Sequence, residues 1–175
     1  VFILVGLSFK ISVVPFHMWA PDVYQGSPTS VTMIFAILPK IAALTVFIRF
    51  LYEPFVSIID QWQMIIIFLS IASMIFGAVA AIGQKNLKRL VAYSSIGHMG
   101  YALAGLSTGT NIGIQSSIIY ISIYLIMNLA LFSCIFMMRE KNKYFENIDD
   151  LAGISKNHPL LSLAFLIVLF SLAGI

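Results

Sequence analysis

Charge is scarce in this sequence. Asp, Glu, Lys and Arg make up 10% of its 175 residues, against about 25% in an average soluble domain. The residues AVILMFWYC make up 60%, and mean hydropathy is +0.98. A soluble fold with so little charge lacks the polar surface to cover its outside, which excludes a cytosolic globular enzyme. The same figures exclude a disordered chain, which needs low hydrophobicity and high charge. Cysteine is nearly absent: Cys134 stands alone, so neither an intrachain disulfide nor a cysteine zinc cluster is available. Inside its apolar run it reads as a small buried hydrophobe. Motifs of soluble catalysis are missing as well. There is no GxxxxGK[ST] phosphate loop, no CxxC pair and no histidine pair at metal-ligand spacing, and Gly97-His98-Met99-Gly100 is not a GxGxxG loop. The net charge of +3 is scattered between apolar runs instead of pooled on one basic face, which points away from nucleic acid.

What the chain has in abundance is apolar length. A helix crosses the hydrocarbon core of a bilayer with about 20 residues. Residues 61–84, 90–138 and 157–175 contain no Asp, Glu, Lys or Arg. The second run is long enough for two spans, with Ser107-Thr108-Gly109-Thr110-Asn111 as the polar turn between them. Thr29 to Leu51 is another span, with Lys40 at its middle, and Val1 to about Trp19 another, carrying Lys10. The expected fold is therefore all-α, a polytopic transmembrane bundle with helices near 1–20, 29–51, 61–82, 89–107, 113–138 and 159–175. All of it, 1–175, reads as a single transmembrane module. The absence of an initiator Met and the abrupt apolar end at Ser171-Leu172-Ala173-Gly174-Ile175 suggest an internal piece of a longer polytopic protein.

Lys and Arg near span ends mark the cytoplasmic side. Lys85, Lys88 and Arg89 lie in one loop, and Arg139, Lys141, Lys143 and Lys156 in another two spans later. The alternate loops, 52–60 and 108–112, carry Glu53 and Asp60 and no Lys or Arg. The basic loops and the 20–28 connection are thus expected on one, inner, side. Trp19, Trp62, Tyr52 and Tyr144 fall near span ends and read as interface anchors.

Ionisable groups at membrane depth carry the chemistry. A charged side chain at the bilayer centre costs about 2.5–3.5 kcal/mol on insertion scales, so such residues face a bundle interior or a hydrated cavity. Lys40, Lys10 and His98 sit near the middles of three different spans, which suggests a polar path through the bundle. Pro15 and Pro39 lack N–H donors, so the carbonyls of Ile11 and Phe35 lose their helical partners, and such groups at membrane depth must be satisfied by neighbours or water. Burial and a second nearby cation both disfavour the charged form of an ammonium, which would let a lysine pair trade protons at neutral pH. His98 can relay, and Tyr93, Ser94, Ser95 and Tyr101 near it can hold ordered water. His17 lies nearer the inner end. The bland alternatives are lysines that pair structurally with carboxylates on other helices, a packing histidine at 98, and interface polarity at 17. Pro28 after Gly26-Ser27 suits a helix start, with Ser27 as its cap.

The stretch Phe9-Lys10-Ile11-Ser12-Val13-Val14-Pro15-Phe16-His17-Met18-Trp19-Ala20-Pro21-Asp22-Val23-Tyr24-Gln25-Gly26-Ser27-Pro28-Thr29 resembles the proton-channel signature of the antiporter-like membrane subunits of respiratory complex I. Asn86-Leu87-Lys88-Arg89-Leu90-Val91-Ala92-Tyr93-Ser94-Ser95-Ile96-Gly97-His98-Met99-Gly100-Tyr101 is a second match, and Asp149-Asp150-Leu151-Ala152-Gly153 extends it. Lys40 favours the N-type branch, subunit 2 of the mitochondrial enzyme. The resemblance implies about six helices of a 14-helix subunit, with Lys10 on a broken first helix, Lys40 as the lysine of the helix after it, and His98 in the central hydrophilic axis. The family's further glutamate and its downstream lysine or acid lie outside this sequence. It implies a non-redox subunit of a proton-translocating NADH:quinone oxidoreductase. No cofactor or metal is expected in this chain; NADH, flavin, iron–sulfur centres and quinone belong to other subunits. Implied partners are the other complex I membrane subunits and the lipid bilayer, and the expected location is the bacterial plasma membrane, with the mitochondrial inner membrane as alternative. Rival readings are a cation/proton antiporter subunit and a passive membrane scaffold.

Overall fold

The computed structural model describes residues 2–140 and 143–174, with the backbone alone described for 139, 140, 143 and 144. The principal helices are α1 (Phe2–Ile11), α2 (Trp19–Gly26), α3 (Thr29–Tyr52), α4 (Ile59–Ile82), α5 (Leu87–Ser107), α6 (Asn111–Met137), α7 (Ile154–Asn157) and α8 (Pro159–Ala173). A two-residue antiparallel pair, β1 (Arg139–Glu140) with β2 (Lys143–Tyr144), follows α6. Three helical stretches, Thr29–Tyr52, Val56–Ile82 and Asn111–Met137, are long and apolar enough to cross a membrane. The polytopic helical bundle expected from the sequence is the fold observed.

α5 is the most polar of the long helices, and it is the axis. More than half of its residues are buried, enclosed by α2, α3, α4 and α6, so it meets protein on most sides. Its start is capped by Asn86, whose side chain accepts from the Arg89 N–H at 3.1 Å, and α6 is capped in the same way by Thr110, which accepts from Gly113 at 3.1 Å. Backbone-to-backbone approach seats α5 on α4. A Cβ at Gly77 would stand 2.6 Å from the Gly97 nitrogen and 2.9 Å from the Tyr93 carbonyl oxygen. One turn and more away, Ser70 donates to the Gly100 carbonyl at 2.7 Å. Small residues at a helix crossing let dispersion and interhelical hydrogen bonds replace the hydrophobic drive that lipid removes.

The first span, expected near 1–20 and by the resemblance as a broken helix, is broken into two helices, the second of which extends past the expected end. Helix α1 ends at Ile11, Ser12 takes φ 61°, and the Val14–Pro15 bond is cis. Helical pairing resumes at Trp19, so most of the 20–28 stretch expected as a connection is α2. Proline at 15 denies the helix both a donor and space; Val14 N–H donates instead to Ser73 Oγ on α4 at 2.9 Å. Trp19 bridges the break by donating from Nε1 to the Phe9 carbonyl at 2.9 Å. Ser27 does not cap α3. Pro28 occupies the cap position with no side-chain bond, and its carbonyl accepts from Thr32 N–H at 2.9 Å.

The expected sidedness of the loops is visible as contact. Leu87 N–H donates to the Glu146 carbonyl at 2.7 Å and Ile148 N–H to the Lys85 carbonyl at 2.8 Å, joining the loop before α5 to the one after α6. Arg89 reaches Asp22 of α2 at 3.0 Å, so the 20–28 segment stands at the same end. At the other end Tyr52 donates to the Leu106 carbonyl at 2.7 Å and Gln63 to the Ser107 carbonyl at 2.7 Å. Trp62 is not a lipid-facing anchor: it is buried, its Nε1 donating to the Phe55 carbonyl at 2.9 Å. Of the other proposed anchors, Trp19 and Tyr52 are half-buried. The side chains of Arg139, Lys143 and Tyr144, and residues Val1, Lys141 and Ile175, lie outside the described residues. Cys134 is free and buried.

Candidate functional site

The apolar core comes in two clusters stacked along the bundle. One gathers Leu44, Phe47, Met99 and Leu103; the other gathers Tyr24, Ile37, Val91 and Phe132. On α3 the seam between them falls at Lys40, and on α5 it falls at Ser95. Lys40 is 0% exposed. Its Nζ donates to Ser95 Oγ at 2.6 Å, and Ser95 in turn donates to the Ala92 carbonyl at 2.6 Å. The ammonium also sits 5.4 Å from the centroid of the buried Tyr24 ring, where the ring's negative face attracts a cation. Among the described residues Lys40 makes no ion pair with a carboxylate.

Pro39 shapes this environment. The Phe35 carbonyl it leaves without a helical donor receives the Tyr24 hydroxyl at 3.4 Å, so the residue that lies over Lys40 also satisfies the group freed beside it. Tyr24 is held from its backbone too, where its carbonyl accepts from Thr32 Oγ1 at 3.1 Å.

One turn along α5 from Ser95 stands His98. Its Nδ1 lies 2.7 Å from the Tyr120 hydroxyl, and its ring centroid is 5.1 Å from that of Tyr124 and 6.4 Å from that of Tyr101. A cavity of about 230 Å³ opens between α5, α6 and α8, and its wall includes Ser94, Ser95, His98, Tyr124 and Asn128. The wall is mainly apolar, and its polar groups lie on the α5 and α6 side, where a water would find hydrogen-bond partners. Lys40, Ser95, the cavity and His98 with Tyr120 thus follow one another across α5, and hydroxyls and a neutral imidazole each donate and accept.

The other expected site residues are placed less centrally. Lys10 is exposed on this chain, which departs from the expectation that both lysines are withdrawn. The reason is register: α1 buries Leu4, Ser8 and Ile11, and Lys10 falls outside that stripe. It does sit in the last turn of α1, where a cation faces the helix's unpaired carbonyls. His17 is buried at 6% exposure and packs on Phe76 with centroids 4.4 Å apart, so it is no interfacial group. Tyr93 lies 6.2 Å from the Phe76 ring, on the α4 side. Tyr101 is 56% exposed and meets His98 and Tyr120 by its ring.

Four side chains that surround Lys40 and His98 were not singled out in the sequence: Tyr24, Tyr120, Tyr124 and Asn128. The last three carried a usable signal. They recur every fourth residue in an apolar span, which places them on one helix face. Tyr24 carried none, because the segment containing it read as a connection.

The family whose description is NADH:quinone oxidoreductase/Mrp antiporter, TM, matches residues 1–175. NADH-quinone oxidoreductase subunit N of Pelagibacter ubique is 78% identical over 175 residues, all of this chain and 37% of that protein. Subunit N of Rhodospirillum rubrum is 55% identical over the whole chain and 36% of its own length. The chain thus spans little more than a third of the relatives it matches. Among solved structures, the Mrp complex from Dietzia superposes with TM-score 0.90 at 27% identity, covering 99% of this chain and 32% of that one. Respiratory complex I from Thermus thermophilus does so with TM-score 0.76 at 36% identity, covering 98% of this chain and 37% of that one. A match over every residue, joined to a broken first helix and a lysine enclosed at mid-bundle, leaves one assignment: the chain belongs to the NADH:quinone oxidoreductase/Mrp antiporter transmembrane family.

Proposed function

We propose that this chain is part of a membrane subunit of a bacterial NADH:quinone oxidoreductase, and that it contributes a path by which protons cross the inner membrane as electrons pass from NADH to quinone elsewhere in the assembly. Its partners are other membrane subunits of that complex and the surrounding lipid, and the redox groups and quinone reside on other subunits. The basic end of the bundle, where the loops around Lys88 and Glu146 meet, faces the cytoplasm. The observation that carries the reading is Lys40, fully enclosed at the seam of the core and held by one hydroxyl. A buried ammonium without a carboxylate partner among the described residues is expensive, and its retention in so apolar a bundle is explained by a task that needs a proton there. Lys10 passes the proton toward Lys40, and Lys40 toward His98 through Ser95 and water in the adjoining cavity. His17, Tyr93, Ser94 and Tyr101 support the path, and Pro15 and Pro39 supply the backbone irregularities it requires.

The test is made in the full-length subunit within its assembled complex, by measuring NADH-driven proton uptake into inverted vesicles. Lys40→Met is expected to abolish most of it, and Lys10→Ala to cut it sharply, with quinone reduction falling in step because the two are coupled. Near-normal proton uptake with both lysines removed overturns the reading. The close superposition on the Mrp complex favours a second possibility, cation/proton exchange without a redox partner. Sodium-dependent proton exchange by the full-length protein in vesicles lacking NADH would establish it.

A further inference from the structure

The short helix α2 has to be held in place from outside. Eight residues do not sustain a helix in isolation, yet α2 carries the ring that covers Lys40. Beside the bonds from α3, where Thr32 Oγ1 donates to the Tyr24 carbonyl and, at 3.4 Å, to the Ser27 carbonyl, two consecutive residues at the start of α5 hold it. Arg89 bonds Asp22 at 3.0 Å and Gln25 at 2.9 Å, but Asp22 is 73% exposed and solvent screens such a pair. Lys88 is different. Its side chain is 5% exposed, and its Nζ donates to the Ser27 carbonyl, at the C-cap of α2, at 3.1 Å. The same Nζ pairs with Glu146 Oε1 at 2.9 Å. Glu146 is itself fixed, because its carbonyl accepts the Leu87 N–H at 2.7 Å and the neighbouring Asn147 bridges to Asn86. The loop after α6 thereby anchors a cation that grips the end of α2 three residues from Tyr24.

We propose that Lys88 is a positioning residue: through Glu146 and the Ser27 carbonyl it latches α2 onto α5 and keeps Tyr24 over Lys40. The inference rests on the proposed role of Lys40 and extends the path's requirements to a group that does not touch the proton. Truncating Lys88 leaves the Ser27 carbonyl without its buried ammonium donor and Glu146 without its partner. The end of α2 loosens, and the Tyr24 ring no longer stays over the ammonium.

The test uses the full-length subunit in its assembled complex, with two readouts: hydrogen–deuterium exchange of residues 19–26, and NADH-driven proton uptake per assembled complex. Lys88→Met is expected to speed exchange in 19–26 tenfold or more, leave 63–81 unchanged, and lower proton uptake at least fivefold. Lys88→Arg, which still offers donors to both acceptors, is expected to restore at least half of each. Glu146→Gln, at a half-exposed position, is read by the same measurements and decides the matter if Lys88→Met does not assemble. Unchanged exchange in 19–26 overturns the latch. Faster exchange with undiminished proton uptake, or no restoration by arginine, overturns the positioning role. If Lys40→Met pumps normally, the function fails, while the exchange comparison still decides whether the latch exists.

Discussion

Ser95→Ala removes the bond on which the Lys40 site turns, together with the Ser95 bond to the Ala92 carbonyl within α5. Ser95 Oγ is the group that receives Nζ, at 2.6 Å, and both side chains are buried. The substitution removes one oxygen, creates almost no cavity and leaves the helix former alanine in its place. A hydrogen bond to a charged group contributes about 1.5–3 kcal/mol, which is roughly 10- to 150-fold in the population of the conformer that has Nζ directed at α5. The cavity beside Ser95 admits water that offsets part of this, so the expected effect lies near the lower end, about tenfold. Proton uptake into inverted vesicles, normalised to assembled complex, should therefore fall about tenfold while the amount of assembled complex stays the same. Ser122→Ala is the control: that hydroxyl is exposed and bonds the Ile118 carbonyl on its own helix, at 2.8 Å. If Ser95→Ala pumps within twofold of the parent, Lys40 does not work through α5, and the line from Lys40 to His98 is wrong.

Two further outcomes probe the relay and the packing separately. Tyr120→Phe removes the partner 2.7 Å from His98 Nδ1; a neutral hydrogen bond is worth about 0.5–1.5 kcal/mol, so proton uptake should drop roughly two- to tenfold with assembly intact, and an unchanged rate removes that pair from the path. Gly77→Val places a branched side chain where even a Cβ would stand 2.6 Å from the α5 backbone. Overpacking of this kind costs about 1–3 kcal/mol or more, and the amount of subunit recovered in the membrane complex, measured by immunoblot, should fall sharply; normal recovery would mean that α4 and α5 cross less closely than described.

Much of the fold was legible in the residues one by one. Charge-free runs of span length located α4 and α6 to within a few residues, and the apolar run around Lys40 located α3, because the bilayer enforces both length and composition. Pro39 announced a carbonyl in need of a donor, since the missing N–H follows from proline's covalent structure. The basic loops were placed at one end from the alternation of spans, and their backbone bonds to each other bear that out.

Other features needed the folded chain. Pro15 signalled an irregularity, but not that the chain would restart as a separate helix at Trp19. In a soluble protein the polar face of a helix shows which side is buried. Here lipid and core are equally apolar, so periodicity is silent about which face turns inward. That is why Lys10 and Lys40, equally deep in their runs, differ: the rotation of α1 leaves the first outside, while that of α3 brings the second onto Ser95. It is also why Tyr24 emerged only with the helix crossings, and why the face shared by Tyr120, Tyr124 and Asn128 could not be assigned to the interior before them. The order of apolar and charged residues along the chain was sufficient to dictate a bundle of membrane helices with a lysine at depth. Which groups face that lysine depends on helix rotations and contacts between distant segments, and those are properties of the packed bundle alone.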